Sequence, residues 1–238
     1  MSAVVVESAV GRVEVAGGLL SRAVGWVQSA AAGAGDRAVH LTGVRLIVGP
    51  SVRHPRVYSP GWGRVPVSAG YAVTVAATDR YRLAVATIEL PEVDGGLAPD
   101  VAVTVPRAEL VAAVKSWGRQ PAFATVTVGV EQDRAASLVR VETAVPVMTS
   151  VTMRSVEGSF PDVGRLLPEF DGVEHGPVQL GFNAAFLQDF AAAARKVDRD
   201  ATLLLAGSCP DKAFGVQVHA PGSPLYCYGL LMPVRPGR

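Results

Sequence analysis

The chain has 238 residues, 49% hydrophobic and 18% charged, with a formal net charge of +1. That length can bury a substantial core in one large or two small domains. Near-neutrality gives no overall pull toward nucleic acid, so any such contact must come from local charge. The apolar runs are too short and too interrupted to span a bilayer. The N-terminus lacks a charged stretch followed by an apolar one, so the expected location is the cytoplasm. Two cysteines, Cys209 and Cys227, do not suggest a disulfide framework.

In chain order, an alternating apolar strand three times leads into an amphipathic helix, period two giving way to period 3.6. The first is Val13-Glu14-Val15, then a helix from about Gly18 with Leu20, Val24 and Val27 on one face. The second is Val101 to Val105, then Pro106 as first helical residue, with Leu110, Val111, Val114 and Trp117 facing inward and Gly118 as a stop. The third is Val178-Gln179-Leu180, then Asn183 as N-cap before Phe186, Leu187, Phe190 and Val197. Strand-like runs follow each helix. They are His40–Val48 and Tyr71–Leu90; Ala124–Val130 and Ser137–Met153; and Thr202–Leu205, Phe214–His219 and Leu225–Met232. The pattern is three drifted copies of a strand–helix–strands unit. A Pro/Gly-rich insertion runs from Gly49 to Gly70, and Pro91–Asp100 and Glu169–Pro177 read as linkers. The fold class is α+β, with antiparallel sheets on one side and helices on the other.

Three segments carry a more specific signal. They are Ala77-Thr78-Asp79-Arg80-Tyr81-Arg82-Leu83-Ala84-Val85; Glu157-Gly158-Ser159-Phe160-Pro161-Asp162 through Arg165-Leu166-Leu167-Pro168; and Leu230-Leu231-Met232-Pro233-Val234-Arg235. In this order they resemble the bacterial β sliding clamp, the processivity ring of replicative DNA polymerase. The resemblance implies the DNA-clamp fold, with sheets outside a ring and helices lining its hole. Residues 1–168 would form a clamp domain of two units like the middle domain of that family. Residues 169–238 would form a half domain like the second half of its last domain. Rings of the family close with roughly twelve units, so three per chain favour a ring of four copies over three or two.

By motif, the resemblance implies a peptide pocket of Leu41, Thr78, Tyr81, Arg82, Leu83, Pro161, Arg165, Leu166, Leu230, Met232, Pro233, Val234 and Arg235, with Asn183 and Phe186 at its edge. Leu41 would come from a Leu41-Thr42-Gly43 strand. Arg82, Arg165 and Arg235 would orient a peptide over an adaptable apolar floor. Arg80-Tyr81 stands where the family usually has Gly-His, which narrows the cleft or changes the peptide it reads.

DNA-facing candidates are Arg22, Lys115, Arg119, Arg195, Lys196 and Arg199; the alternative is that they are solvated helix faces. The implied partners are duplex DNA, held without sequence preference, a replicative polymerase bearing a clamp-binding peptide, and an ATP-driven loader. No phosphate loop, metal-ligand spacing or nucleophile–base pair occurs, so the expectation is a non-enzyme without cofactor or metal. Cys209, His219 and Cys227 match no zinc pattern. A non-encircling scaffold or decoy for replication proteins is the alternative.

Overall fold

The structure, a computed structural model, describes residues 9–50, 71–90, 101–117, 125–132, 137–143, 149–166, 181–206, 213–220, 223 and 225–234. The first unit comprises β1 (Ala9–Ala16), α1 (Gly17–Val27), β2 (Gly43–Pro50), β3 (Tyr71–Thr78) and β4 (Arg82–Glu89). The second comprises β5 (Val101–Pro106), α2 (Arg107–Trp117), β6 (Thr125–Gln132), β7 (Ser137–Thr143) and β8 (Thr149–Arg154), followed by the short α3 (Val163–Leu166). The third comprises α4 (Ala184–Val197), β9 (Thr202–Ala206), β10 (Phe214–His219) and β11 (Leu225–Leu231). The three-copy pattern of helix followed by a strand meander is therefore realised.

Each of the first two units donates its leading strand to the other. β5 pairs antiparallel with β2, from Gly43 opposite Pro106 to Val48 opposite Val101. β1 pairs with β6, so the smaller sheet runs β1-β6-β7-β8. The larger sheet has seven strands in the order β5-β2-β3-β4-β11-β10-β9. Its continuity depends on β4 meeting β11, from Leu225 opposite Ile88 to Leu231 opposite Arg82.

One core lies between the helices and the inner faces of both sheets. Leu20, Ala23, Val24 and Val27 of α1 and Leu110, Ala113 and Val114 of α2 meet Val44, Leu46, Val73, Val75, Ala84 and Ala86. Val139, Val141 and Met153 of the smaller sheet join them, as do Phe190, Ala193, Ala194 and Val197 of α4. Alanines at 84 and 86 leave room for α1 to approach β4 closely. β3 and β4 are buried on both faces, because a second cluster covers the other side. It holds Ala76, Leu83, Val85, Phe160, Val163, Tyr228 and Leu230.

Trp26 fastens the third unit to the first. Fully buried, its indole N–H donates to Val85 O at 3.0 Å and to Tyr228 O at 3.1 Å, one carbonyl from each side of the β4–β11 seam. Its ring lies 5.2 Å from that of Phe190 on α4.

Local differences from expectation are few. The chain from Val39 to Thr42 forms a 3₁₀ turn, so Leu41 sits on that turn and the strand begins at Gly43. Pro106 ends β5, and α2 opens at Arg107. Asn183 does cap α4, its side chain accepting the Ala185 N–H at 2.9 Å. Residues 51–70, both linkers, Val178–Leu180, Gly118, Arg119, Cys209, Arg235 and the side chain of Trp117 lie outside the described residues.

Candidate functional site

The β3–β4 turn is built by its own side chains. Thr78 Oγ1 donates to Arg82 O at 2.7 Å and accepts the Arg80 N–H at 3.2 Å. Asp79 Oδ1 accepts the Tyr81 and Arg82 N–H groups, both at 3.0 Å. Arg80 takes φ of +78°, the left-handed region that favours glycine. Its side chain reaches out to pair with Asp36. The closed turn leaves Tyr81 63% exposed.

The C-terminal segment docks on that turn. Leu230 faces Leu83 across the β4–β11 ladder, and the Met232 N–H donates to Tyr81 O at 2.9 Å. The Val234 N–H donates to Gly181 O at 2.8 Å, two residues before the α4 cap. α3 arrives from the other direction. Asp162 Oδ1 accepts the Gly164 N–H at 3.0 Å, while Phe160 and Val163 sink into the cluster around Leu83 and Leu230. Gly158, at φ +116°, passes so close to the turn holding Leu41 that a Cβ there would stand 2.9 Å from His40 Nδ1.

Large apolar side chains stay exposed in the segments that meet at this seam. Tyr81, Leu166, Met232 and Val234 are all large apolar side chains with substantial exposure, at 63%, 43%, 41% and 50%. Thr78, Leu83 and Leu230 lie buried at the seam, and Leu41 is buried on its 3₁₀ turn. Pro161 and Pro233 are half-buried, and Arg165 is open to solvent.

Arg82 behaves differently from the expected peptide-orienting cation. Its guanidinium pairs with Asp79 at 3.0 Å and with Asp189 of α4 at 2.6 Å, and lies 4.3 Å from the centroid of the Phe186 ring. Its side chain is only 9% exposed. Arg82 therefore bolts the turn to α4, and Phe186 belongs to that bolt. Asn183 acts as a helix cap at the edge.

The helices carry expected cations: Lys115, Arg195 and Lys196 are exposed, and Arg199 is exposed in the turn after α4. Arg22 is half-buried and donates across to Val197 O at 3.3 Å, so it joins α1 to the end of α4. The stem of Lys196 lies over Gly25. A shallow depression of about 350 Å3 opens among Gln28, Ser29, Arg107, Ala108, Val111 and Lys196. Arg107 escaped the sequence reading because nothing in a single arginine after a strand says which way it faces. It donates to Gln28 O and Ala31 O, both at 3.4 Å.

No protein-family model matches the sequence, and no curated protein matches it. Solved structures do. DNA polymerase III subunit beta from Pseudomonas aeruginosa superposes with a TM-score of 0.67 at 16% identity, over 99% of this chain and 69% of that one. The fold is that of a bacterial sliding clamp. The DNA polymerase sliding clamp from Caulobacter crescentus gives a TM-score of 0.65 at 18% identity, over 99% and 67% of the two chains. A sliding clamp from Pseudomonas aeruginosa bound to griselimycin gives 0.64 at 16%, over 99% and 68%. The clamp fold thus accounts for nearly the whole chain.

Proposed function

We propose that copies of this chain close into a ring around duplex DNA and tether replication proteins through the apolar patch at the β4–β11 seam. Residues 1–168 act as a clamp domain of two units and residues 169–238 as half of another, so four copies complete the ring. One observation supports the proposal: Tyr81, Leu166, Met232 and Val234, from three segments far apart in the chain, are exposed large apolar side chains next to the segments that pack at the Leu83–Leu230 seam.

A peptide with leucine and phenylalanine anchors would lie on this patch, its anchors displacing water from the floor above Leu83 and Leu230. The exposed helix cations would meet phosphates on the other side, without base reading and with steep salt dependence. Enclosure, rather than tight binding, would retain the ring on DNA, so a net charge of +1 is no obstacle. An ATP-driven loader of other proteins would open it, and the site of action would be the cytoplasm at the nucleoid. The chain would carry no chemistry of its own.

Two measurements test the proposal. A fluorescent peptide with leucine and phenylalanine anchors should bind the full chain, and Met232→Asp should weaken it about 30-fold or more; unchanged affinity would remove the patch from function. Once loaded, the protein should stay on nicked circular DNA and leave linear DNA. Equal loss from both would favour a scaffold that binds replication proteins without encircling DNA.

A further inference from the structure

In the two units that pair within the chain, the first strand after the helix is interior to its sheet. β2 carries β5 on its outer side, and β6 carries β1, each donated by the other unit. The third unit breaks this pattern. β9 pairs with β10 and ends the seven-stranded sheet, with no strand on its outer side among the described residues.

The side chains register the same difference. On β2, the core-facing Val44, Leu46 and Val48 are 0%, 2% and 6% exposed. On β9 the residues facing that layer are Leu203 and Leu205, which sit opposite Val218 and Val216 of the core. Leu203 is only half-buried and Leu205 is 50% exposed. The edge reads Thr-Leu-Leu-Leu-Ala, with no charge or proline to discourage pairing. An apolar edge that has no partner strand among the described residues is a template for another strand. Beside it, α4 exposes Ala184 and Ala191, seven residues apart on one face, small side chains that allow a second helix to approach closely, with Arg195 exposed one turn further on.

We infer that β9 and the outer face of α4 form a self-complementary interface, on which the third unit of a second copy docks about a two-fold axis. Two half-built units then complete one clamp domain, as the first and second units do within the chain. The occupant follows from the internal repeat. The domain already present consists of two units of one plan, each covering the other's first strand. From its helix onward the third unit has the same plan, so the shape that complements it is its own duplicate, and such a contact satisfies both copies at once. The inference deepens the ring proposal, on which the closed assembly rests. Two such pairs, each of three whole domains, would supply the ring.

The test uses the full chain. Native mass spectrometry and sedimentation across micromolar concentrations should show self-association, and Leu205→Asp should weaken it about 30-fold or more. The variant should fold, because Leu205 is half-exposed, and an unchanged circular dichroism spectrum would confirm that. In the wild type, hydrogen exchange at residues 202–206 should slow as concentration rises through the association range, with no mutation needed. Self-association unaffected by Leu205→Asp, concentration-independent exchange in β9, or protection only on adding a different protein would each overturn the interface. If pairs form through β9 but particle images show no closed ring, the ring fails and the interface stands. If wild type and Leu205→Asp both form rings, the interface fails and the ring stands. A wild type monomeric throughout would end both.

Discussion

Gly229 lies where β11 passes under α4. A Cβ at that position would stand 2.7 Å from Phe190 Cε1 and 3.0 Å from Leu83 O. Neither neighbour can retreat, since Phe190 is buried against Trp26 and Leu83 O belongs to the adjoining strand. Gly229→Ala should therefore cost about 1–3 kcal/mol in denaturant unfolding. Trp26→Ala should cost more, about 3–5 kcal/mol, because it leaves a large cavity at the seam. Arg80 shows the opposite situation, a residue tolerating a backbone that glycine would hold more easily. Arg80→Gly should leave the fold intact, whereas Arg80→Val should destabilise it by about 1–2 kcal/mol. The pair with Asp36 has a titration signature. The Ala38 N–H, 2.8 Å from Asp36 Oδ1, and then Arg80 hold that carboxyl below its usual value. A lowered folded-state pKa means the contribution to stability is present above the ordinary aspartate range and is lost as pH falls through the lowered value. Carboxyl-resolved NMR should find Asp36 titrating below about 3.9 in the wild type and higher in Arg80→Gly.

At the scale of elements, the β4–β11 seam joins fold to candidate function. The same contacts that fuse the third unit to the first also set Tyr81 beside Met232, through the bond between their backbones. A charged substitution at Leu83 tests nothing specific, because that side chain is 3% exposed and a buried charge would unfold the seam. Met232 is 41% exposed and can be changed without that penalty. The Arg82 bolt predicts a separable effect. Arg82→Ala strips both carboxylates and the Phe186 ring of their shared cation, so it should loosen α4. The expected readout is faster hydrogen exchange in the first turns of α4, with thermal stability reduced. Unchanged exchange there would show that Asp79 and Asp189 are adequately solvated without it. Tyr228 is a further seam residue with a buried hydroxyl that has no partner among the described residues, and burial pushes its phenol up. Tyr228→Phe should accordingly be neutral or mildly stabilising.

For the whole molecule, the proposal separates two surfaces of opposite character. Large apolar side chains are exposed in the segments at the β4–β11 seam, and cations on the helices, where Glu109 also stands exposed. Neutralising Lys115, Arg195 and Lys196 together should lower loading onto circular DNA, or retention there, and flatten its salt dependence, while peptide binding stays unchanged. Identical retention in parent and variant would take these helices away from the duplex.

Much of this was legible before any coordinates. The change of period at Val15, Val105 and Asn183 located the three long helices among the described residues, since burying one face of a helix against a sheet constrains residue type every three or four positions. The three signature segments contain Tyr81, Leu166, Met232 and Val234, but that these side chains stand exposed could be read only from the structure. What single-residue patterns cannot carry is pairing between distant strands. Nothing local announces that β5 crosses to β2, that β4 meets β11, or that β9 ends the larger sheet among the described residues. Arg82 illustrates the limit: as a letter it is a cation beside a pocket, and only the arrival of Asp189 and Phe186 from over a hundred residues away turns it into a bolt. The sequence by itself determined the repeat and its periodicities, which are local consequences of burial. Tertiary structure alone decided which repeat completes which, because that choice depends on contacts between residues that no short stretch of chain contains.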